Sequence, residues 1–251
     1  MRDGALIPHF GRARRDTGVA VLEGFHPLKH ALRFGAELEL IVTRDRDGLE
    51  RLTRRLAPDV REQMLQDVRE VPDDVFQRLA PIPPATGVMS LARRPTVDVD
   101  ATLAAPAPTP IVLLENPRDL GNMGACVRVA AAADAAGVLV LDGSHDPWHP
   151  DALRGAAGLH FALAVADVEG GLAQLADTDR PLLALDPDGE ELDPRALDPR
   201  AVLAFGTERD GLGDELLARA DGRVRIPMRD GVSSLNLATS VAATLFAWRL
   251  A

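Results

Sequence analysis

The sequence predicts an α/β protein in two parts: a small α/β sandwich followed by a larger domain built on a parallel sheet. Three observations predict it. Strand-like and helical runs alternate strictly from residue 111 to the end, a shorter alternation occupies residues 19–68, and a proline-rich stretch lies between them. Strict alternation implies parallel strands joined by crossover helices, with both sheet faces covered and ligands bound at the strands' carboxyl ends.

The first part, residues 1–95, opens with the strand Val19 to Glu23, stopped by Gly24, and continues as a helical pattern through Pro27, Leu28, Ala31 and Leu32. Leu38 to Thr43 is the next strand, and Leu49 to Leu56 and Val60 to Val68 continue the alternation. Residues 96–110 form the linker. Prolines at 106, 108 and 110 exclude a helix interior and favour an extended chain. The second part, residues 111–251, reads as strands at Ile111 to Leu114, Val138 to Leu141, Phe161 to Val165, Leu182 to Leu185, Ala201 to Phe205 and Val224 to Ile226. Between them lie helical runs at Met123 to Ala136, Ala152 to Gly158, Leu172 to Ala176 and Asp214 to Ala218, with a final helix from about Ser234 to Arg249.

With 251 residues and 46% hydrophobic content, the chain has enough apolar material for real cores. Met1 to Phe10 carries Arg2 and Asp3 with no apolar run behind them, so no secretory signal is expected, and no apolar stretch reaches membrane-span length. A soluble cytoplasmic protein is expected. Cys126, the only cysteine, excludes an internal disulfide. His145 and His149 stand four apart, but Pro147 and Pro150 interrupt any helix there, so no metal is expected. The net charge of −10 is uneven: residues 1–95 carry 16 Lys+Arg against 14 Asp+Glu, and residues 96–251 carry 12 against 24. A nucleic-acid partner would dock first on the front part, and the acidic part would need local arginines to hold a phosphate.

Three constellations at strand ends can carry chemistry. The first is Asn116 to Arg128, where Gly121 and Gly124 allow backbone to approach a ligand, Asn122 can cap the helix, and Arg128 follows about a turn and a half later. Taken alone, an ordinary capped strand-to-helix turn is the favoured explanation. A dinucleotide site would use Asp142 at the end of the next strand, but the Gly-x-x-Gly spacing does not meet that fingerprint. The second is Gly206-Thr207-Glu208-Arg209-Asp210-Gly211, where Glu208 either projects into the crevice or is a solvated loop acid. The third is Ile226-Pro227-Met228 followed by Ser233-Ser234-Leu235-Asn236. Either serine can be a plain N-cap, and Asn236 falls inside the first helical turn, where Asn is a mediocre helix former.

In this order, at successive strand ends of one domain, the three resemble the signature motifs of the SpoU (TrmH) family of SPOUT RNA methyltransferases. The first resembles its Asn-x-Gly-x-x-x-Arg pattern (Asn122, Gly124, Arg128) and the second its Gly-x-Glu-x-x-Gly pattern (Gly206, Glu208, Gly211). The third resembles its Ile-Pro-Met and Ser-Ser-Leu-Asn run (226–228, 233–236). In front, Leu22 to Leu28 resembles the family's ribosomal-protein-like substrate-binding domain. Ala156 stands where relatives commonly have serine, and Val129 where threonine often follows the motif arginine.

The resemblance implies a deep trefoil knot in the C-terminal domain, a homodimer with the site near its interface, and S-adenosylmethionine as cofactor. The reaction implied is methylation of a ribose 2'-hydroxyl in structured RNA, ribosomal or transfer, with ribosomal RNA favoured. By carry-over, cofactor contacts fall on Gly206, Ile226 and Leu235, largely through backbone, whereas Asn122, Arg128, Glu208, Ser234 and Asn236 take the catalytic and RNA-facing positions. The rival expectation is a non-catalytic RNA-binding module that keeps the fold without the chemistry.

Overall fold

The computed structural model describes residues 3–176, 178–207 and 210–251. These form two compact units: residues 1–96 together with 148–162, and residues 97–147 together with 163–251. Residues 148–162, which the sequence pattern leaves within the C-terminal half, thus group with the first unit.

The first unit runs α1 (Asp3–Ala13), β1 (Val19–Glu23), α2 (Phe25–Arg33), β2 (Leu38–Thr43), α3 (Arg46–Leu56), α4 (Arg61–Gln66), β3 (Val68–Glu70), α5 (Asp73–Phe76) and β4 (Val88–Arg93). Its four-stranded sheet has the order β1-β4-β2-β3, with only β2 and β3 parallel. Val21, Met89 and Leu91 pack with Leu6 and Phe10 of α1 on one side of this sheet, and Ile41 and Val88 with Leu28 and Met64 on the other. The segment from the C-terminal half anchors on β1 and α2. The buried Glu23 carboxylate accepts from Arg14 at 2.5 Å and from Arg154, and the His30 ring donates to the Ala157 carbonyl at 2.7 Å. Burial pushes the His30 pKa below its usual value, an effect this hydrogen bond partly offsets.

The second unit runs α6 (Val99–Ala104), β5 (Ile111–Glu115), α7 (Leu120–Ala133) and β6 (Gly137–Leu141). After α8 (Pro150–Gly155), which belongs to the first unit, it resumes with β7 (Ala164–Asp167), α9 (Gly171–Gln174) and β8 (Leu182–Glu191). It ends with β9 (Val202–Phe205), α10 (Asp214–Arg219), β10 (Gly222–Arg225) and α11 (Leu237–Leu250). Its six-stranded sheet has the order β10-β8-β9-β5-β6-β7, and every ladder is parallel, as the alternation requires. The central strands are apolar on both faces; all five residues of β6 are buried.

Four local expectations are corrected. The linker is not extended throughout, because Asp98 accepts from the Ala101 amide at 2.9 Å and caps α6, leaving 96–98 and 105–110 non-helical. Residues 159–162 form a 3-10 turn, so β7 begins at Ala164. The last helix begins at Leu237 rather than Ser234. Finally, β8 reaches Glu191, because its pairing with β10 jumps from Ala184↔Arg223 to Glu190↔Val224 and residues 185–189 leave the ladder as an excursion.

Arg180, only 2% exposed, ties the end of the linker to this sheet without touching a carboxylate. Its Nε donates to Leu103 O, Nη1 to Thr109 O and Arg200 O, and Nη2 to Ala105 O, all within 2.8–2.9 Å. Burial lowers its pKa from the normal arginine range, and the carbonyl dipoles around it hold the charge. Arg180→Ala, which strands these carbonyls, is expected to lower unfolding free energy by about 3 kcal/mol or more in urea titrations. Arg180→Lys should recover only part of that, because an ammonium cannot span the fork. A loss below about 1 kcal/mol for the alanine variant would contradict the clasp.

Candidate functional site

Parallel strands place their carboxyl ends on one sheet edge, so the loops that follow β5, β9 and β10 leave from the same side. The loop after β9 closes on itself: Thr207 N donates to Gly211 O and Gly211 N to Thr207 O, each at 3.1 Å. A Cβ on Gly206 would lie 2.1 Å from the Gly211 carbonyl carbon, and Gly211 sits at φ +68°, so each glycine of this motif has its own steric reason. The loop after β5 is tied to it. Arg118 pairs with Asp210 at 3.1 Å, and the Glu115 carboxylate accepts from the Gly213 amide at 2.6 Å.

Between the β8 excursion, the β9 loop and the chain following β10 lies a cavity of about 330 Å³. Leu185, Ile226, Leu235 and Leu237 give it apolar walls, Gly206 and Thr207 expose backbone to it, and Asp186, Ser233, Ser234 and Ser240 supply polar groups. Asp186 is largely buried, with the Arg223 guanidinium 4.0 Å away.

Next to the cavity wall at Leu235 and Leu237, the N-termini of α7 and α11 meet. Asn236 Nδ2 donates to Asn122 Oδ1 at 3.1 Å, joining residues 114 positions apart in sequence. At the other end of these helices Arg249 donates to Ala133 O at 3.0 Å, so α7 and α11 run side by side in the same direction. The capping expectations are corrected here. Asp119, not Asn122, caps α7, accepting from the Asn122 amide at 2.7 Å. Asn236 is itself the N-cap of α11, accepting from Ala238 N at 3.0 Å and Thr239 N at 3.3 Å, which leaves its amide nitrogen to reach Asn122. The serines at 233 and 234 do not cap and instead face the cavity. His149 caps α8, accepting from Asp151 N at 3.2 Å.

The predicted residues therefore fall into three groups. Gly206, Ile226, Leu235 and Ser234 line one cavity, and Asn122 and Asn236 bond to each other beside it. Arg128 lies on the exposed side of α7, six residues beyond Asn122, outside the cavity wall; its guanidinium makes no hydrogen bond or ion pair among the described residues. Glu208 lies outside the described residues. Sequence reading missed Asp119 and Asp186. Asp119 precedes Asn122 by three positions, a capping signal, and Asp186 follows the last residue of the first paired stretch of a parallel strand, Ala184, by two, where ligand groups are expected.

Residues 109–246 match the model of the SpoU rRNA Methylase family, more than half of the chain. The chain belongs to that family. Among relatives of this SpoU protein, an uncharacterized tRNA/rRNA methyltransferase of Archaeoglobus fulgidus is 34% identical over 56% of this chain and 63% of its own length. One from Mycobacterium bovis is 34% identical over 69% of this chain and 62% of its own. The 23S rRNA (adenosine(1067)-2'-O)-methyltransferase of Streptomyces laurentii is 33% identical over 54% of this chain and 52% of its own. The chain thus spans about three-fifths of the first two and half of the third. Among solved structures, an RNA 2'-O ribose methyltransferase matches with TM-score 0.75 and 29% identity, covering 98% of this chain and 96% of that one. The S-adenosylmethionine-bound rRNA methyltransferase of Sinorhizobium meliloti matches with TM-score 0.75 and 25% identity, covering 98% and 93%.

Variants of Asn236 separate its two bonds. Asn236→Ala removes the cap and should cost about 1 kcal/mol, whereas Asn236→Asp keeps the acceptor and should cost less than about 0.5 kcal/mol, both read by denaturation midpoints. Equal losses would mean that the cap is not what Asn236 contributes to stability.

Proposed function

We propose that this SpoU protein transfers a methyl group from S-adenosylmethionine to a ribose 2'-hydroxyl of structured RNA, ribosomal in preference to transfer RNA. The observation that carries the reading is the Asn122–Asn236 hydrogen bond beside a cavity lined by Gly206, Ser234, Ile226 and Leu235.

The residues fit the cofactor. A volume of about 330 Å³ lies in the range of small-molecule sites. Apolar walls from Leu185, Ile226 and Leu235 suit a purine face, backbone at Gly206 and Thr207 suits its edge, and the Asp186 carboxylate with the serine hydroxyls suits ribose hydroxyls and a cationic tail. When bound, S-adenosylmethionine supplies an electrophilic methyl on a sulfonium whose loss leaves a neutral thioether, so no general acid is needed. The protein's task is positioning. Asn122, Ser234 and Asn236 orient the ribose at the rim. Arg128 grips the phosphate next to the target and polarises the 2'-hydroxyl; a guanidinium, with five N–H donors and no acceptor, is a clamp rather than a base, so the proton leaves to substrate phosphate or water. Glu208 orients Arg128 or Asn122.

The first unit recruits the RNA. The guanidinium groups of Arg12, Arg15, Arg55 and Arg78 make no hydrogen bond or ion pair among the described residues and are available to phosphates. The reading includes a knotted C-terminal chain and a homodimer. Phe246 (39% exposed) and Leu250 (84%) stand one turn apart on α11 and suit burial against a second copy.

The test is methyl transfer from labelled S-adenosylmethionine to unmodified ribosomal and transfer RNA transcripts, followed by mapping of 2'-O-methyl sites. Ribosomal RNA should be labelled at a ribose; label on a base, or none on either RNA, would overturn the reading. Arg128→Lys should lower kcat/KM by about tenfold or more while leaving cofactor affinity unchanged, because a point charge does not replace the fork. Unchanged turnover would exclude the clamp.

A further inference from the structure

The second unit is acidic, and its arginines are largely consumed. Residues 97–147 and 163–251 carry 11 Arg and no Lys against 23 Asp+Glu. Most arginines described in this unit are taken up by carboxylates, as Arg200 is by Asp179, or by backbone carbonyls, as Arg180 and Arg219 are. Among the described residues, three guanidinium groups of this unit have no hydrogen bond or ion pair: Arg128, Arg195 and Arg229. In a field with two acids for every base, a cation that no carboxylate has captured is left for an anion from outside.

Arg229 stands apart from Arg195 by its place. It follows Met228 and precedes Ser233 by four residues, and both of those line the cavity. Between them the chain reverses in a β-turn: Val232 N donates to Arg229 O at 3.0 Å, and Gly231 takes φ +86° at the third position, as a type II turn demands. The turn lies between two cavity-lining residues, with Arg229 exposed at one end and Val232, 48% exposed, at the other. Asp230, the neighbouring acid, is exposed and does not pair with Arg229 within 4.0 Å. A cation and an apolar side chain together on one exposed turn match a phosphate and the sugar beside it.

We propose that Arg229 is a second RNA-phosphate contact, a positioning residue at the cavity rim that holds a nucleotide flanking the methylated one. The proposal rests on the function proposed above. It gives Arg229 a role separate from Arg128: Arg128 acts at the reacting ribose, and Arg229 fixes the strand's register across the cavity mouth.

The experiment compares the full-length wild type, Arg229→Ala, Arg229→Lys and Arg195→Ala, using an unmodified large-subunit ribosomal RNA transcript. Steady-state kinetics and filter binding are measured over a range of salt. Arg229→Ala should raise KM for RNA about tenfold with a smaller change in kcat, and should flatten the slope of log affinity against log salt by about 0.7 to 0.9. Arg229→Lys should keep the slope, and cofactor affinity should not move in either variant. Arg195→Ala should behave as wild type. An active wild type with the slope and KM of Arg229→Ala unchanged would overturn this inference alone. An equal change in Arg195→Ala would also overturn it, by showing only a response to lost net charge. A wild type that transfers no methyl to the transcript would remove the reaction that Arg229 serves and overturn the functional reading with it.

Discussion

Every ladder in the six-stranded sheet is parallel, and the site depends on this constraint. Parallel strands cannot be joined by hairpins, so each needs a crossover, and all their carboxyl ends share one edge. Segments as far apart in sequence as 116–122, 206–211 and 226–236 are thereby delivered to the same side. What the sheet cannot do is fix their side chains relative to one another. Here capping does it. Asp119 fixes the start of α7 and Asn236 the start of α11, and the amide left over on Asn236 reaches Asn122. One residue thus both starts a helix and couples it to the first turn of another.

Charge forms the second layer. Surface ion pairs are worth little individually, but in a unit with twice as many acids as bases they decide which arginines remain open to a polyanion. Arg118 is spent on holding the β5 and β9 loops together through Asp210. Arg128 and Arg229, on the exposed side of α7 and on the rim turn, remain unpaired among the described residues. An acidic protein can therefore present local cationic contacts where a phosphate would pass, although its overall charge argues against nucleic acid.

The parallel sheet was legible because buried central strands read as continuous apolar runs: Ile111 to Leu114 and Val138 to Leu141 are strands within one residue at either end. Four residues named through the resemblance, Gly206, Ile226, Ser234 and Leu235, line one cavity, and Gly206 and Gly211 have steric reasons in the contact between residues 207 and 211. Other features were hidden. In β4 five of its six residues are buried, so no alternation marks it, and α1 contains Pro8, a signal against helix. The grouping of 148–162 with the first unit depends on Arg154 reaching Glu23 and His30 reaching Ala157, long-range contacts with no local signature. The β8 excursion that brings Asp186 to the cavity depends on a register jump, which only the pairing with β10 shows. Caps were assigned to the wrong polar residues at both α7 and α11 because several candidates stood within a few positions, and local sequence does not choose among them.

The most direct measurement is a backbone amide chemical-shift titration of the protein with S-adenosylmethionine. The account predicts saturable shifts concentrated at Gly206, Thr207, Ile226 and Leu235, with the amides of the first unit unmoved. Shifts centred away from the ends of β8, β9 and β10, or none at millimolar cofactor, would contradict it.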